Sequence, residues 1–209
     1  MRTAYFILQY CPLIPFLYGA FHFKQLPLPL KIFFFMQLTS LLFTIVMTVL
    51  AKRGINNLWL MNTTMPIYTV LVMWMFSFWE TRPLLQKIFK ITAILFCILW
   101  TTELVVNGSI FQFTKYSRPV MSILFIGIAC LAVYEDNKNE EALLVEQPRF
   151  WISSGLIIYY SGTLVVNLLG NALLSISEDV LRDALYLQSV LNLFSSVLYL
   201  QGFRIQCRR

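Results

Sequence analysis

The sequence predicts an all-α polytopic membrane protein. It reads as a bundle of seven transmembrane helices with short loops, N-terminus outside and C-terminus cytoplasmic, forming a single transmembrane domain over residues 1–209. Three observations lead there. Hydrophobic types make up 58% of the chain and charged types 12%, with a mean hydropathy of +0.70. An average soluble domain is about a quarter charged, so half that level leaves too little charge to cover a globular surface. The apolar residues also gather into seven runs of about the length a bilayer requires, roughly 20 residues each. Finally, the Lys and Arg residues divide unequally between the two sides that seven spans define.

The runs cover about 4–21, 31–51, 58–79, 87–106, 119–134, 150–170 and 184–203. In the first, Arg2 and Ala20 resemble the charged start and cleavage region of a signal peptide. Its apolar stretch is longer than a signal core and contains Pro12 and Pro15, so a retained helix is expected. The second run is closed by Lys52, Arg53 and Gly54, and the third opens after Asn56 and Asn57 and ends before Glu80. Arg82 and Pro83 precede the fourth, which opens at Lys87 and is followed by Asn107 and Gly108. The fifth is short but spans if Lys115 and Arg118 snorkel at one end. A hydrophilic loop, 135–149, precedes the sixth and carries half of the chain's ten acidic residues. The seventh ends at the basic tail Arg204, Arg208 and Arg209.

With seven spans, one side holds Arg2, Lys52, Arg53, Lys115, Arg118 and Arg182. The other holds Lys24, Lys31, Arg82, Lys87, Lys90, Lys138, Arg149, Arg204, Arg208 and Arg209, and this richer side is expected to be cytoplasmic. Trp59, Trp79, Trp100 and Trp151 fall near helix ends, as an interfacial aromatic belt requires.

Polar side chains inside a span are costly and normally face the bundle interior. Gln188, Asn192, Ser195 and Tyr199 recur at spacings that place them on one face of the seventh helix, and Gln37, Ser40, Thr44 and Thr48 do the same in the second. Together with the orientation, this places Thr44, Thr48, Asn62, Glu103, Asn167, Gln188 and Asn192 near the midplane or in the outer half. A polar ligand pocket open to the outside is therefore expected, with interhelical hydrogen bonding as the alternative use of the same groups. Glu103 is the one carboxylate well inside a predicted span. Gly155 and Gly162 read as packing notches between helices.

The chemistry is bounded by what is missing. One histidine, His22, cannot build a zinc site, and no GxSxG or HExxH motif occurs. Cys11, Cys97, Cys130 and Cys207 form no CxxC and read as small hydrophobes. The seventh span has no lysine for a retinal Schiff base, and the motifs of G-protein-coupled receptors and PQ-loop sugar transporters are absent. No catalytic residue, metal or cofactor is expected, and the scattered basic residues do not form a nucleic-acid surface.

Several segments carry a resemblance: Tyr10-Cys-Pro12, Gly54-Ile-Asn-Asn-Leu-Trp-Leu60, Pro148-Arg-Phe-Trp-Ile-Ser-Ser-Gly-Leu-Ile-Ile-Tyr-Tyr-Ser-Gly162, Leu191-Asn-Leu-Phe194 and Leu198-Tyr-Leu-Gln-Gly-Phe203. They resemble small seven-helix integral membrane proteins of Bacteroidota-type bacteria, similar to membrane regions found near or attached to sensor histidine kinases. The resemblance implies a bacterial inner (cytoplasmic) membrane protein that signals by association. This chain departs from that pattern at Thr44 and Tyr68, where relatives carry acidic residues.

These readings converge on a sensory or receptor-like module. It would bind a small, amphiphilic molecule and signal through a cytoplasmic partner such as a histidine kinase. Glu140, Glu141, Arg204, Arg208 and Arg209 are the candidate docking residues. A small transporter or channel, and a structural or assembly subunit, are the alternatives; a lipid-acting intramembrane enzyme would need acid–base partners that the spans do not supply.

Overall fold

A computed structural model describes residues 8–107, 109–111, 114–137, 143–176 and 178–208. Among these residues the chain is all-helical, with no strand. The helices are α1 (Leu13–Phe21), α2 (Leu28–Lys52), α3 (Leu58–Trp79), α4 (Pro83–Asn107), α5 (Ser117–Asn137), α6 (Pro148–Ile176) and α7 (Glu178–Arg208). Short 3-10 turns lie at Phe23–Gln25 and Leu144–Glu146.

Five helices are long and apolar enough to cross a membrane: α2, α3, α4 as far as Val106, α5, and α6 over Pro148–Leu168. The protein is therefore an integral membrane protein with several apolar helices. The first and last predicted spans are not among the five. The described part of the first run forms a helix of nine residues. Helix α7 is long at 31 residues, but Gln188, Asn192, Ser195 and Ser196 dilute its apolar character. The connection expected at 171–183 is helical on both sides of residue 177, because α6 continues to Ile176 and α7 begins at Glu178.

Local chemistry explains the boundaries. Proline opens α4 and α6 at Pro83 and Pro148, where a missing N–H costs nothing. Helix α2 ends in a Schellman motif: Gly54 takes φ +67°, its N–H donates to Ala51 O, and Ile55 N–H donates to Leu50 O. The α3–α4 turn is fixed by Glu80, which is 5% exposed. Its carboxylate accepts the backbone N–H groups of Thr81 and Arg82, each at 3.1 Å. The Arg82 guanidinium adds bonds of 2.9 and 3.1 Å, and the Gln86 amide donates to the Glu80 carbonyl at 2.6 Å.

The chain divides into two compact units, residues 27–121 and residues 1–26 with 122–209. In the first, α3 packs against both α2 and α4. Its buried face carries Asn62, Met65, Thr69, Val72 and Phe76, a helical repeat of three and four residues. In the second, α7 packs against α6 and α1. Glycine permits that close approach. A Cβ at Gly155 would stand 2.4 Å from the Tyr199 ring, and one at Gly162 would stand 2.0 Å from Leu191 Cδ1. Both glycines thus serve as packing notches. Ile152, Leu156 and Phe203 are fully buried in this unit, and Phe125 meets Tyr160 edge-on at 4.7 Å.

Candidate functional site

Two features stand out in the unit 27–121: a buried polar brace and an open apolar groove. The brace starts from a missing hydrogen bond in α3. Pro66 lies inside that helix and has no N–H, so the carbonyl of Asn62 loses its ordinary helical donor. Trp100 Nε1 fills the vacancy from α4 at 3.1 Å. The Asn62 side chain, fully buried, is used twice. Its amide donates to Ile110 O at 2.7 Å, and its Oδ1 accepts from Arg118 Nη2 at 3.1 Å.

Glu103 completes the brace at the start of α5. One carboxylate oxygen accepts from the backbone N–H groups of Lys115 and Tyr116. The other accepts from the N–H and hydroxyl of Ser117, the N–H at 2.8 Å. These donors precede and open α5, where a helix exposes unpaired N–H groups and a partial positive charge. Glu103 is 6% exposed, so it acts as a buried cap rather than a side chain reaching toward headgroups. Arg118 was expected to snorkel; it bonds Asn62 instead, because that carbonyl oxygen lies within its reach.

The other predicted pocket residues are placed as follows. Thr44 and Thr48 donate to the carbonyls of Ser40 and Thr44, each at 2.8 Å, so both hydroxyls are satisfied within α2. In the second unit, Asn167 donates to Ser122 Oγ at 3.0 Å, and Gln188 donates to the Tyr159 hydroxyl at 3.2 Å. Asn192 is half-buried, and its backbone carbonyl accepts from Ser196 at 2.7 Å. Of the docking residues, Arg204 and Arg208 are exposed on the last turns of α7. Glu140, Glu141 and Arg209 lie outside the described residues. Beside that loop, Arg149 pairs with the buried Asp136 at 3.6 Å.

The groove lies on α3 and α4 and has a volume of about 630 Å³. None of the predicted pocket residues lines it. Ala93 and Cys97, small residues one turn apart on α4, leave the space, and Val70, Met73 and Trp74 of α3 wall it. Met73 and Ala93 are buried, whereas Trp74 is 49% exposed. Thr101 and Thr102 stand at one end, but their hydroxyls donate to Cys97 O and Ile98 O at 2.8 Å. That end therefore presents little free polarity. Lys90 supplies the polar chemistry at the other end.

Sequence reasoning counted Lys90 only toward orientation and missed the roles of Trp100 and Arg118. The signal for Trp100 was present: a proline in a membrane helix frees the carbonyl four residues earlier, and some donor must be found. Among the described residues, no three His, Cys, Asp or Glu side chains gather where a metal ion could be held. The His22 ring stacks on Tyr18 at 4.4 Å, and its Nδ1 lies 3.0 Å from the Tyr18 carbonyl. No protein-family model matches the chain, nor does any curated protein or solved structure at a significant level.

Proposed function

We propose that the chain is a receptor-like membrane module, crossing the bilayer seven times with its N-terminus outside. It binds an amphiphilic small molecule and reports to a cytoplasmic partner, a histidine kinase being the class favoured by its sequence resemblance. The observation that carries this reading is the α3–α4 groove, apolar along its length with one charged end at Lys90. A molecule with one polar end and one apolar chain matches that distribution. The brace supports the reporting step. Trp100 and Asn62 tie α4 to α3 one turn before Pro66, so a ligand wedged between these helices acts on the same pair of elements. A ligand shifts an equilibrium only through such differential contacts. The exposed Arg204 and Arg208 suit an acidic partner surface.

The test uses the full chain in nanodiscs of neutral phosphatidylcholine, titrated with a long-chain fatty acid. Saturable stabilisation is expected, lost in Ala93→Phe, which fills the groove. Hydrogen exchange at residues 143–147 and 204–208 should change as the fatty acid binds. Stabilisation without any change there would remove the reporting role. A structural or assembly subunit is the second reading, supported by the satisfied pairs Gln188–Tyr159 and Asn167–Ser122. Under it the fatty acid neither saturates nor stabilises.

A further inference from the structure

The charges at the mouth of the groove carry the argument further. Lys87 and Lys90 are three residues apart on α4, so they are neighbours on the helix surface. Both are exposed, and among the described residues neither forms an ion pair or hydrogen bond. The nearby carboxylate of Glu80 is already committed to Arg82 and to two backbone N–H groups. Two uncompensated cations thus stand at the head of an apolar channel. From Ile91 to Thr102 α4 carries no charge, so hydrocarbon depth begins at Lys90. The 11 residues from Lys90 to Thr101 rise about 17 Å along the helix, close to half of a hydrocarbon core about 30 Å thick. The groove therefore has the depth of one leaflet and a cationic pair at its headgroup level.

We infer that the α3–α4 groove holds one acyl chain of an acidic phospholipid, with the lipid phosphate bound by Lys87 and Lys90. The inference rests on the groove as the ligand site proposed above. Basic residues between membrane helices favour anionic headgroups, and each cation near the surface contributes about a fivefold preference. Trp74, half-exposed on the groove wall, sits where the chain would lie.

Trp74 is also the reporter. The full chain is reconstituted in phosphatidylcholine containing an equal mole fraction of either acyl-brominated phosphatidylglycerol or acyl-brominated phosphatidylcholine. The Trp74 contribution is isolated as the difference between the parent chain and Trp74→Phe. Stronger quenching by the acidic lipid is expected, with its association weakened about fivefold by each lysine removed and no preference left in K87Q/K90Q. Both lysines are exposed, so this variant should fold and melt like the parent. Equal quenching by the two lipids overturns the inference, and so does a preference that survives K87Q/K90Q. If the fatty acid still binds saturably while the two phospholipids quench alike, the groove remains a ligand site and the phospholipid inference falls. If neither discriminates, both fall. A phospholipid preference without fatty-acid binding upholds the inference and removes the free amphiphile as ligand.

Discussion

Replacing Trp100 by Phe removes one N–H and leaves the Asn62 carbonyl without its donor from α4. Asn62 is fully buried, and Pro66 cannot restore the helical bond. An unsatisfied buried carbonyl costs about 1–3 kcal/mol. Hydrogen bonds between membrane helices average nearer 0.6 kcal/mol, because the unfolded chain in lipid also finds partners. The expected cost of the lost bond is therefore about 1–2 kcal/mol. The smaller ring also leaves a void, and a single substitution would mix the two effects. A cycle with Pro66→Ala separates them. Pro66→Ala restores a backbone N–H that reaches the Asn62 carbonyl, so Trp100→Phe in that background costs only its void. The coupling should recover the bond, about 1–2 kcal/mol, read from unfolding followed by circular dichroism in nanodiscs. Pro66→Ala alone should be stabilising, since proline in a helix interior is unfavourable by about 3 kcal/mol. Coupling below about 0.5 kcal/mol would refute the link between Pro66 and Trp100.

Glu103→Gln places an amide N–H₂ against donors at the start of α5, so at least one of the four hydrogen bonds is lost along with the charge. We expect about 2–4 kcal/mol of destabilisation, read as a drop of roughly 5–15 °C in melting temperature; a shift within experimental scatter would show the carboxylate to be exposed. Gly155→Ala should destabilise by about 1–3 kcal/mol, and by more than Gly162→Ala, because the added methyl meets the buried Tyr199 ring rather than the movable end of Leu191. Equal melting curves would contradict the notch. Burial pushes the Cys207 thiol up, so an impermeant maleimide should label it slowly near neutral pH and faster in alkali. Under the proposed orientation, that labelling should occur in inverted vesicles and fail in right-side-out ones, and the opposite pattern would refute the orientation.

Legibility differed with the range of the interaction. Helix α3 was readable to its boundaries at 58 and 79, since Asn57 and Glu80 interrupt the apolar run on either side. The stretch 171–183 misled because its polar composition suggests a loop, yet it contains no proline to stop the helices that now flank residue 177. Burial of these polar groups was also readable: Glu103 and Asn62 are buried, as their positions within apolar runs imply. Their partners were not. Spacing along one helix says which residues share a face but not which group on another segment they reach. Glu103 meets backbone groups 12 to 14 residues later, across a turn whose path no periodicity describes. The groove was least legible, because it consists of volume missing beside Ala93 and Cys97, and a small residue looks the same in sequence whether its neighbour fills the space or leaves it open.

The brace also decides which polar residues remain for a ligand. A backbone group left unpaired in lipid costs several kcal/mol, more than a side chain recovers from a typical interhelical contact. Strong polar side chains near helix breaks are therefore claimed first by the backbone. Trp100 serves the carbonyl freed by Pro66, Asn62 serves the carbonyl of Ile110, and Glu103 serves the open N–H groups of α5. None of these needs a ligand to be satisfied, and a ligand that displaced them would have to replace each bond. Lys87 and Lys90 stand differently: they are exposed in the first turns of α4, no carboxylate among the described residues claims them, and an apolar channel opens beside the second. Burial and polarity alone rank Glu103 above Lys90 as a site residue. Counting what each group already bonds reverses the order, and leaves the cationic mouth of the groove with bonding capacity to offer a ligand.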